Sequence, residues 1–362
     1  MGEAWPIAIS FPTDRQASHS GTRSDDMSPT DHRSAFSRPI PRQQSTCRGG
    51  SGHEDPSSPA GLTLTEVLIV LALSATVALV LLMAVPRARE QARLAGCRRN
   101  LGQIGMALAL YDQFQNHLPM VGQPAALDGQ ATAPEAGANI GPLRTLLETL
   151  ALPDFTELIH PKKAPQARPG EGPGETAVPG FVCQSDPGAL ARRFWAPVSY
   201  RAATGDSPDG NNGPFAPGRT LALSAIEAAD GLSYTSGFAE RLIGDPESRI
   251  ASLTAYELVP DRVSPPGCPP AVDGSVWRGD AGSSWRACDY RSTLYNHALN
   301  PGGQPSCIAR DGQTAFMGAS SGHTRGVNML LLDGSVTLVV PTINPKVWKE
   351  FASVGSGQEG EK

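Results

Sequence analysis

The sequence predicts an α+β fold, in which a long N-terminal α-helix, transmembrane and then amphipathic, packs on an antiparallel β-sheet domain. Three patterns predict it: an uncharged apolar run from Val67 to Val85, helical spacing of apolar residues from Leu101 to Phe114, and a β-hairpin signature over residues 327–340. With 39 glycines and 33 prolines in 362 residues, the sheet domain is expected to contain many turns around a modest core.

The apolar run from Val67 to Val85 is interpreted as a transmembrane helix. As a helix it rises about 28 Å, close to the thickness of a hydrocarbon core. A buried core helix and a cleaved signal peptide are the alternatives. The run is, however, apolar on every face, and an arginine-rich stretch follows it instead of a small-residue cleavage site. Residues 62–86 are therefore assigned to the span and 87–118 to its amphipathic continuation, with a kink expected at Pro86.

The amphipathic continuation carries one apolar stripe that is expected to pack on the soluble domain. Two glycines, Gly102 and Gly105, lie within this part of the helix. They either weaken the helix or allow close backbone packing. The stripe consists of Leu101, Ile104, Leu108, Tyr111 and Phe114.

Residues 1–61 are a polar tract rich in Ser, Pro, Arg and Asp, without helical or strand periodicity. Such a composition buries too little apolar surface to fold, so this tract is expected to be a disordered leader. Translation from a downstream start, for instance Met27, is the alternative explanation for its length.

Residues 119–353 are expected to form one soluble domain, followed by a flexible C-terminus at 354–362. A short helix is expected over residues 143–152. Stretches rich in Gly and Pro are expected to be long loops, namely 161–180, 205–218 and 264–283.

Charge and motif content argue against several functions. The net charge of −5 and the pI of about 5.8 give no basic field over the chain, so nucleic acid is not expected as a partner. The sequence contains no G-x-S-x-G, no H-E-x-x-H and no P-loop. We therefore expect neither enzyme activity nor a cofactor.

Six cysteines stand at positions 47, 97, 183, 268, 288 and 307. None of their spacings matches a CxxC or zinc-ligand pattern, so no metal site is expected. If the domain is exported, disulfides become possible, but the sequence alone leaves their pairing open. The oxygen-rich loop from Asp206 to Gly213 is a solvated turn or a Ca²⁺ site, and its lack of EF-hand spacing favours the turn.

A β-hairpin is predicted near the C-terminus. Two apolar runs, Val327–Leu332 and Val336–Val340, flank Asp333 and Gly334. Asp-Gly between β-forming residues is typical of a type I′ turn, in which both central residues have positive φ.

Glu66 stands at the head of the apolar run, where a carboxylate is costly inside a bilayer. A capping box formed by Thr63 and Glu66 is one explanation. The whole arrangement favours a functional one, because Gly61 is followed by an apolar residue, and Glu66 stands five positions after the glycine, before the uncharged run.

The segment Gly61-Leu62-Thr63-Leu64-Thr65-Glu66 resembles the prepilin motif of type IV pilins and type II secretion pseudopilins. The resemblance implies that a prepilin peptidase cuts between Gly61 and Leu62 and that Leu62 becomes the N-methylated terminus. It also implies that the Glu66 carboxylate pairs with the amino terminus of a neighbouring subunit, which makes its burial tolerable. Leu62 stands where Phe is usual, and basic residues are missing directly before Gly61.

His323 stands ten positions before Asp333 and resembles the H-X9-DG tail of the prepilin-like family DUF1559. In this tail, His323, Gly326, Asn328, Asp333 and Gly334 are the motif residues. Other collinear segments resemble the same family, namely Cys97–Leu108, Phe181–Pro187, Asn212–Phe215, Asp230–Ser233 and Glu240–Arg241.

This resemblance implies a pilin-like fold and leaves the role of His323 open. His323 and Asp333 form either a metal or catalytic pair, or a hydrogen-bonded loop residue beside a turn residue. Cys97 and Cys183, on two family segments, are the first pair to test for a disulfide. Whichever two of Cys268, Cys288 and Cys307 join, one thiol is left over.

The expected function is that of a non-enzymatic envelope protein, processed by a prepilin peptidase and assembled with pilin-like subunits or secretion machinery. Its expected location is the inner (cytoplasmic) membrane, with one span, the N-terminus in the cytoplasm and the C-terminal domain in the periplasm or outside the cell. Arginines flank both ends of the span, so this orientation rests on the resemblance. The alternatives are a tethered binding or adhesion module that does not polymerise and a membrane-anchored hydrolase.

Overall fold

The structure is a computed structural model that describes residues 63–124, 127, 140–150, 177–191, 194, 196–270 and 274–355. The chain divides into two units, Met1–Thr63 and Leu64–Lys362, and only Thr63 of the first is described. The expected leader, the alternative start at Met27, the processing residues Gly61 and Leu62, and most of the expected loop at 161–180 lie outside the described residues.

Helix α1 spans Leu64–Gln115 and continues without interruption through Pro86. With 52 residues, it is about 78 Å long. Its first turns are exposed over the whole apolar run, whereas its later turns are buried from Gly96 onward. Among the described residues, α1 is the one helix long and apolar enough to cross a membrane, and it is a candidate span.

The predicted apolar stripe of α1 lies against the domain for three of its turns. Leu101, Ile104 and Leu108 are almost completely buried, because they face β-strands and loops of the domain. Tyr111 is partly buried at the edge of the core. Phe114 is 75% exposed, so its expected packing is wrong: the domain surface ends one helical turn before it.

The other described helices are short: α2 Pro142–Leu146, α3 Pro187–Ala191, α4 Leu223–Ala229 and α5 Pro345–Glu350. Single 3-10 turns form at Pro179–Phe181 and Leu232–Tyr234. The strands are β1 Tyr200–Ala203, β2 Ser236–Glu240, β3 Tyr256–Val259, β4 Val276–Arg278, β5 Leu294–Tyr295, β6 Cys307–Ala309, β7 Ala315–Phe316, β8 Val327–Leu331 and β9 Val336–Val339.

In the described part of the chain, the strands form a five-stranded sheet in the order β5-β1-β2-β8-β9 and a four-stranded sheet in the order β4-β3-β6-β7. The pairs β1–β5 and β3–β6 are parallel, and the other pairs are antiparallel. The predicted α+β class is confirmed. The expectation of one antiparallel sheet is corrected to two mixed sheets.

The loop predictions are correct in part. Residues 205–218 contain no helix or strand, as expected. Strand β4, in contrast, forms within the expected loop at 264–283, because its residues pair with β3 through the register Glu257 to Trp277. The expected short helix at 143–152 is α2, which begins one residue earlier, at Pro142, and ends at Leu146.

The predicted hairpin is formed by β8 and β9, with Leu330 opposite Val336. Its turn is not type I′, because Gly334 has a φ of +87° while Asp333 has a negative φ. The N–H of Gly334 donates to the carbonyl of Leu331 at 3.0 Å, so Leu332 and Asp333 are the central residues of the turn. A left-handed glycine then follows the turn, as in three-residue hairpin loops.

The main core lies between the later turns of α1 and the five-stranded sheet, where Leu330 of β8 contacts the helix at Gly105. A Cβ atom at Gly105 would lie 2.9 Å from Leu330 Cδ1 and 3.3 Å from Gly334 Cα, whereas one at Gly102 would meet open space. Gly105 is therefore required for the close approach of the helix to the hairpin, and Gly102 is not.

Candidate functional site

The site is centred on His323, which lies in the loop between β7 and β8 and whose side chain is only 2% exposed. Its Nδ1 atom lies 2.6 Å from Oε1 of Glu90, which is on α1. On the opposite side of the ring, Nε2 lies 3.5 Å from Oε1 of Glu240 and 3.4 Å from Sγ of Cys183. The imidazole therefore bridges the helix, strand β2 and the Cys183 segment.

Glu240 is the last residue of β2, and its buried carboxylate is held by the neighbouring strand β8. The backbone N–H of Asn328 donates to Oε2 at 2.9 Å, and Nδ2 of the same residue donates to Oε1 at 2.9 Å. The side-chain oxygen of Asn328 accepts a hydrogen bond from Nε of Arg98 on α1 at 3.2 Å. This second connection also joins the sheet to the helix.

A disulfide joins Cys97 of α1 to Cys183, the pair that the resemblance singled out. Cys183 follows the 3-10 turn at Pro179–Phe181, and its N–H donates to Oγ of Ser199 at 3.1 Å. The potential ligand atoms of Cys97, Cys183, Glu240 and His323 all lie within 4.8 Å of one another, and all four residues are buried.

Charge in the site is distributed between one imidazole and two carboxylates. Burial lowers the pKa of His323, but hydrogen bonds and charges from Glu240 and Glu90 raise it by more, so that the pKa lies above its ordinary value. Burial raises the pKa of Glu90, whereas its contacts with His323 and Arg93 lower it below the ordinary value. The geometry therefore favours a charged imidazole between two carboxylates.

Asp186 holds the segment that carries Cys183 in place. Its carboxylate accepts hydrogen bonds from the N–H groups of Ile243 and Gly188 and from Oγ of Ser199, each at 2.9 Å. Burial raises the pKa of Asp186 to about 6, although these hydrogen bonds lower it. Both carboxylate oxygens of Asp186 thus accept hydrogen bonds that fix the surrounding backbone.

The structure does not pair His323 with Asp333. Asp333 accepts hydrogen bonds from N and Oγ of Ser335 at 2.9 and 2.7 Å, so its carboxylate serves the hairpin turn. Gly326 has a φ of +150°, and a Cβ atom there would collide with the carbonyl oxygen of Val339. Asp333, Gly334 and Gly326 thus shape the hairpin, whereas His323 and Asn328 belong to the site.

The remaining predicted residues lie elsewhere. Glu66 is exposed in the first turn of α1. Cys268 is joined to Cys307, and Cys288 is the free cysteine among those described. In the Asp206–Gly213 loop, Oδ1 of Asp206 accepts from Nδ2 of Asn212 at 2.9 Å, which is the arrangement of a closed turn.

Sequence reasoning did not assign Glu90 or Glu240 to the site. Glu90 is the acidic residue within the arginine-rich stretch after the span, and it stands seven positions before Cys97. That spacing places both residues on the same face of a helix and could have linked them. Glu240 belonged to a family-like segment, but no local pattern relates it to His323.

Together these features define an α+β protein in which a candidate membrane-spanning helix is fastened to a two-sheet domain by a disulfide and by a His–carboxylate cluster. The chain matches the family described as "Protein of unknown function (DUF1559)" over residues 86–346, and it belongs to that family. The comparisons found no match among the curated proteins or the solved structures.

Proposed function

We propose that this chain is a non-enzymatic, membrane-anchored envelope protein of the prepilin type. One observation carries the proposal, which is the division of α1. The helix is apolar and exposed from Val67 to Val85, whereas at Cys97 and Leu101 it is fully buried in the domain. A helix divided in this way can occupy a bilayer or a bundle of neighbouring helices with one half, while the other half holds a folded domain.

In this proposal, a prepilin peptidase cuts between Gly61 and Leu62, and Leu62 is N-methylated. The position of Glu66 in the first turn of α1 supports a role at the head of the membrane helix. Its carboxylate would pair with the amino terminus of a neighbouring pilin-like subunit in a pseudopilin or pilus-type assembly, and this pairing offsets the cost of burying the charge.

The proposed location is the inner (cytoplasmic) membrane, with a cytoplasmic N-terminus and the domain in the periplasm or outside the cell. The disulfides Cys97–Cys183 and Cys268–Cys307 support this orientation, because such bonds persist in oxidising compartments. The partners are then the lipid bilayer, the peptidase, and other pilin-like subunits or secretion machinery.

The contacts of the motif residues support a structural role over hydrolysis. His323 is bonded to Glu90 on α1, and Asp333 is bonded within its own turn. A hydrolase would instead need a nucleophile and a base that can reach a substrate. We therefore propose that the H-X9-DG tail fastens the domain to the helix.

Mass spectrometry of the mature protein tests the proposal directly. In cells that carry a prepilin peptidase, the amino-terminal peptide is expected to begin at Leu62 and to carry one N-methyl group. A chain that remains intact across Gly61 and Leu62 in those cells would overturn the prepilin assignment.

Substitution of Glu66 tests assembly separately from processing. Glu66→Ala is expected to be processed normally but to lose cross-linking to neighbouring subunits in the membrane. Ser74→Ala is the matched control, because Ser74 lies in the same apolar run and its hydroxyl donates only to the carbonyl of Leu71 in its own helix. Cross-linking that is absent in the wild type, or unchanged by Glu66→Ala, would favour the alternative of a tethered binding module.

A further inference from the structure

We propose that the thiol form of the Cys97–Cys183 pair, together with His323 and Glu240, is a binding site for one Zn²⁺ ion. These residues offer two sulfur atoms, one imidazole nitrogen and one carboxylate oxygen within 4.8 Å of one another. Zinc accepts all three ligand types and is usually four-coordinate in structural sites. This inference goes beyond the proposed function, and it concerns the chain in which the Cys97–Cys183 bond is reduced.

The observed distances agree with tetrahedral zinc. Zn–S bonds of about 2.3 Å and Zn–N or Zn–O bonds of about 2.0 Å place S and N about 3.5 Å apart, and N and O about 3.3 Å apart. In the structure, Cys183 Sγ lies 3.4 Å from His323 Nε2, which lies 3.5 Å from Glu240 Oε1. Two of the ligand pairs, Cys183 with His323 and His323 with Glu240, are therefore already spaced as a zinc ion requires.

The outer contacts also match those of a metal site. A zinc-bound histidine almost always donates its second N–H to a carboxylate, a backbone carbonyl or water, which fixes the ring orientation. His323 has such a partner, since Nδ1 lies 2.6 Å from Glu90 Oε1 while Nε2 faces the cluster. Glu240 is likewise oriented by the two hydrogen bonds from Asn328.

The disulfide and the zinc ion exclude each other. A dithiol reductant would transfer two electrons and two protons to the Cys97–Cys183 bond, which breaks into two thiols while the reductant forms its own disulfide. Zn²⁺ would then displace both thiol protons to solvent, together with the proton on His323 Nε2 when the ring is charged. The sulfurs would separate to about 3.8 Å. The cluster is thus locked by a covalent bond under oxidising conditions and by a metal ion under reducing conditions.

The experiment uses the full chain in detergent with the substitutions Cys268→Ser and Cys307→Ser, which remove the second disulfide. Reduction with a trialkylphosphine, followed by Zn²⁺ titration, is expected to show one bound equivalent, while the oxidised protein binds none. Co²⁺ in place of Zn²⁺ is expected to give the charge-transfer absorption of thiolate ligands. His323→Ala and Glu240→Gln should each weaken binding by more than the roughly 10–100-fold that loss of an outer-shell partner costs. His117→Ala, the control, should not weaken it, because the His117 ring lies against the carbonyl of Leu118 and outside the ligand cluster.

A second measurement needs no change to the site. In the reduced and unprocessed chain, Zn²⁺ is expected to protect Cys97 and Cys183 from alkylation, as read by peptide mass spectrometry. The reaction of Cys47, which precedes the cleavage site, is expected to stay unchanged. Equal alkylation with and without Zn²⁺ would overturn the proposal. So would binding that survives both His323→Ala and Glu240→Gln, or a reduced chain that loses its fold and does not regain it with Zn²⁺.

Discussion

Nδ1 of His323 lies 2.6 Å from Oε1 of Glu90, so the first residue of the C-terminal motif is bonded to the N-terminal helix across 233 positions of the chain. The same motif reaches the helix a second time, through Asn328 and Arg98. The C-terminal tail is therefore held against α1 by side-chain hydrogen bonds at two positions.

Removal of the Glu90 carboxylate is expected to weaken the attachment of the tail to α1 and so to destabilise the protein. Glu90→Ala leaves Nδ1 of the buried His323 without its carboxylate partner, and we expect a loss of about 1–3 kcal/mol in the free energy of unfolding. Glu148→Ala is the matched control, since Glu148 forms a long, exposed ion pair with Arg144 and should cost less than about 0.5 kcal/mol. Urea unfolding measures both, and equal effects of the two variants would contradict the assigned role of Glu90.

Loss of the Cys97–Cys183 disulfide is expected to destabilise the protein more than loss of Cys268–Cys307. The first bond closes a separation of 86 residues and the second one of 39, so the chain-entropy model gives about 4.6 and about 3.9 kcal/mol. The double variants to alanine, unfolded thermally side by side, measure the difference. The first variant should also increase amide exchange in the turns of α1 around Cys97, and exchange that remains unchanged there would contradict the prediction.

Alanine substitutions at Gly105 and Gly102 of α1 are expected to change the free energy of unfolding in opposite directions. Gly105→Ala is expected to destabilise the protein by about 1–3 kcal/mol, because the added methyl group would meet Leu330 and the backbone of Gly334. Gly102→Ala is expected to stabilise it by up to about 1 kcal/mol, since its Cβ meets open space and alanine favours the helix. Unfolding in urea tests both, and two effects of the same sign would show that the packing of α1 on the hairpin is misassigned.

Acid is expected to destabilise the fold through His297. Burial lowers the pKa of this residue to about 3, although its hydrogen bond to the carbonyl of Trp348 raises it. The unfolded chain takes up a proton near pH 6.5 and the folded one does not. Its contribution is therefore fully present above pH 6.5 and is lost as the pH falls toward 3, by at most about 1.4 kcal/mol per pH unit.

The variant His297→Gln isolates this contribution, although it also loses the stacking of the ring on Trp348 at 3.6 Å between centroids. We expect it to be less stable than the wild type at pH 7 and to lose less stability between pH 6.5 and 4. Urea unfolding across that range measures the difference, in which other titrating groups cancel. Parallel curves for the two proteins would contradict the prediction.

Local patterns were sufficient for the helix and the hairpin. The spacing of Leu101, Ile104 and Leu108 depends only on the helical period, which is a property of neighbouring residues. The exposure of Phe114 could not be predicted, because periodicity shows which side is buried but not where the partner surface ends. The prediction of a type I′ turn at Asp333 was wrong for a similar reason, since the strand register determines how many residues the turn must span.

Long-range pairing was beyond the reach of pattern reasoning. Strands β1 and β5 pair in parallel with Ala202 opposite Leu294, and no feature of either short segment specifies the other. The site shows the same limit. Cys97, Cys183 and His323 were each noted through the family resemblance, but their convergence with Glu90 and Glu240 depends on contacts between residues far apart in the chain.

Because α1 supplies Cys97 and Leu101 to the interior, continuous helix joins the apolar run to the domain, without a loop between them. A protease that cuts on the C-terminal side of the apolar run would have to unwind part of α1. A shortened chain that begins after Glu90 would lose the contact between Glu90 and His323. We therefore expect a rotation of the apolar half of α1 about the helix axis to rotate the domain as well.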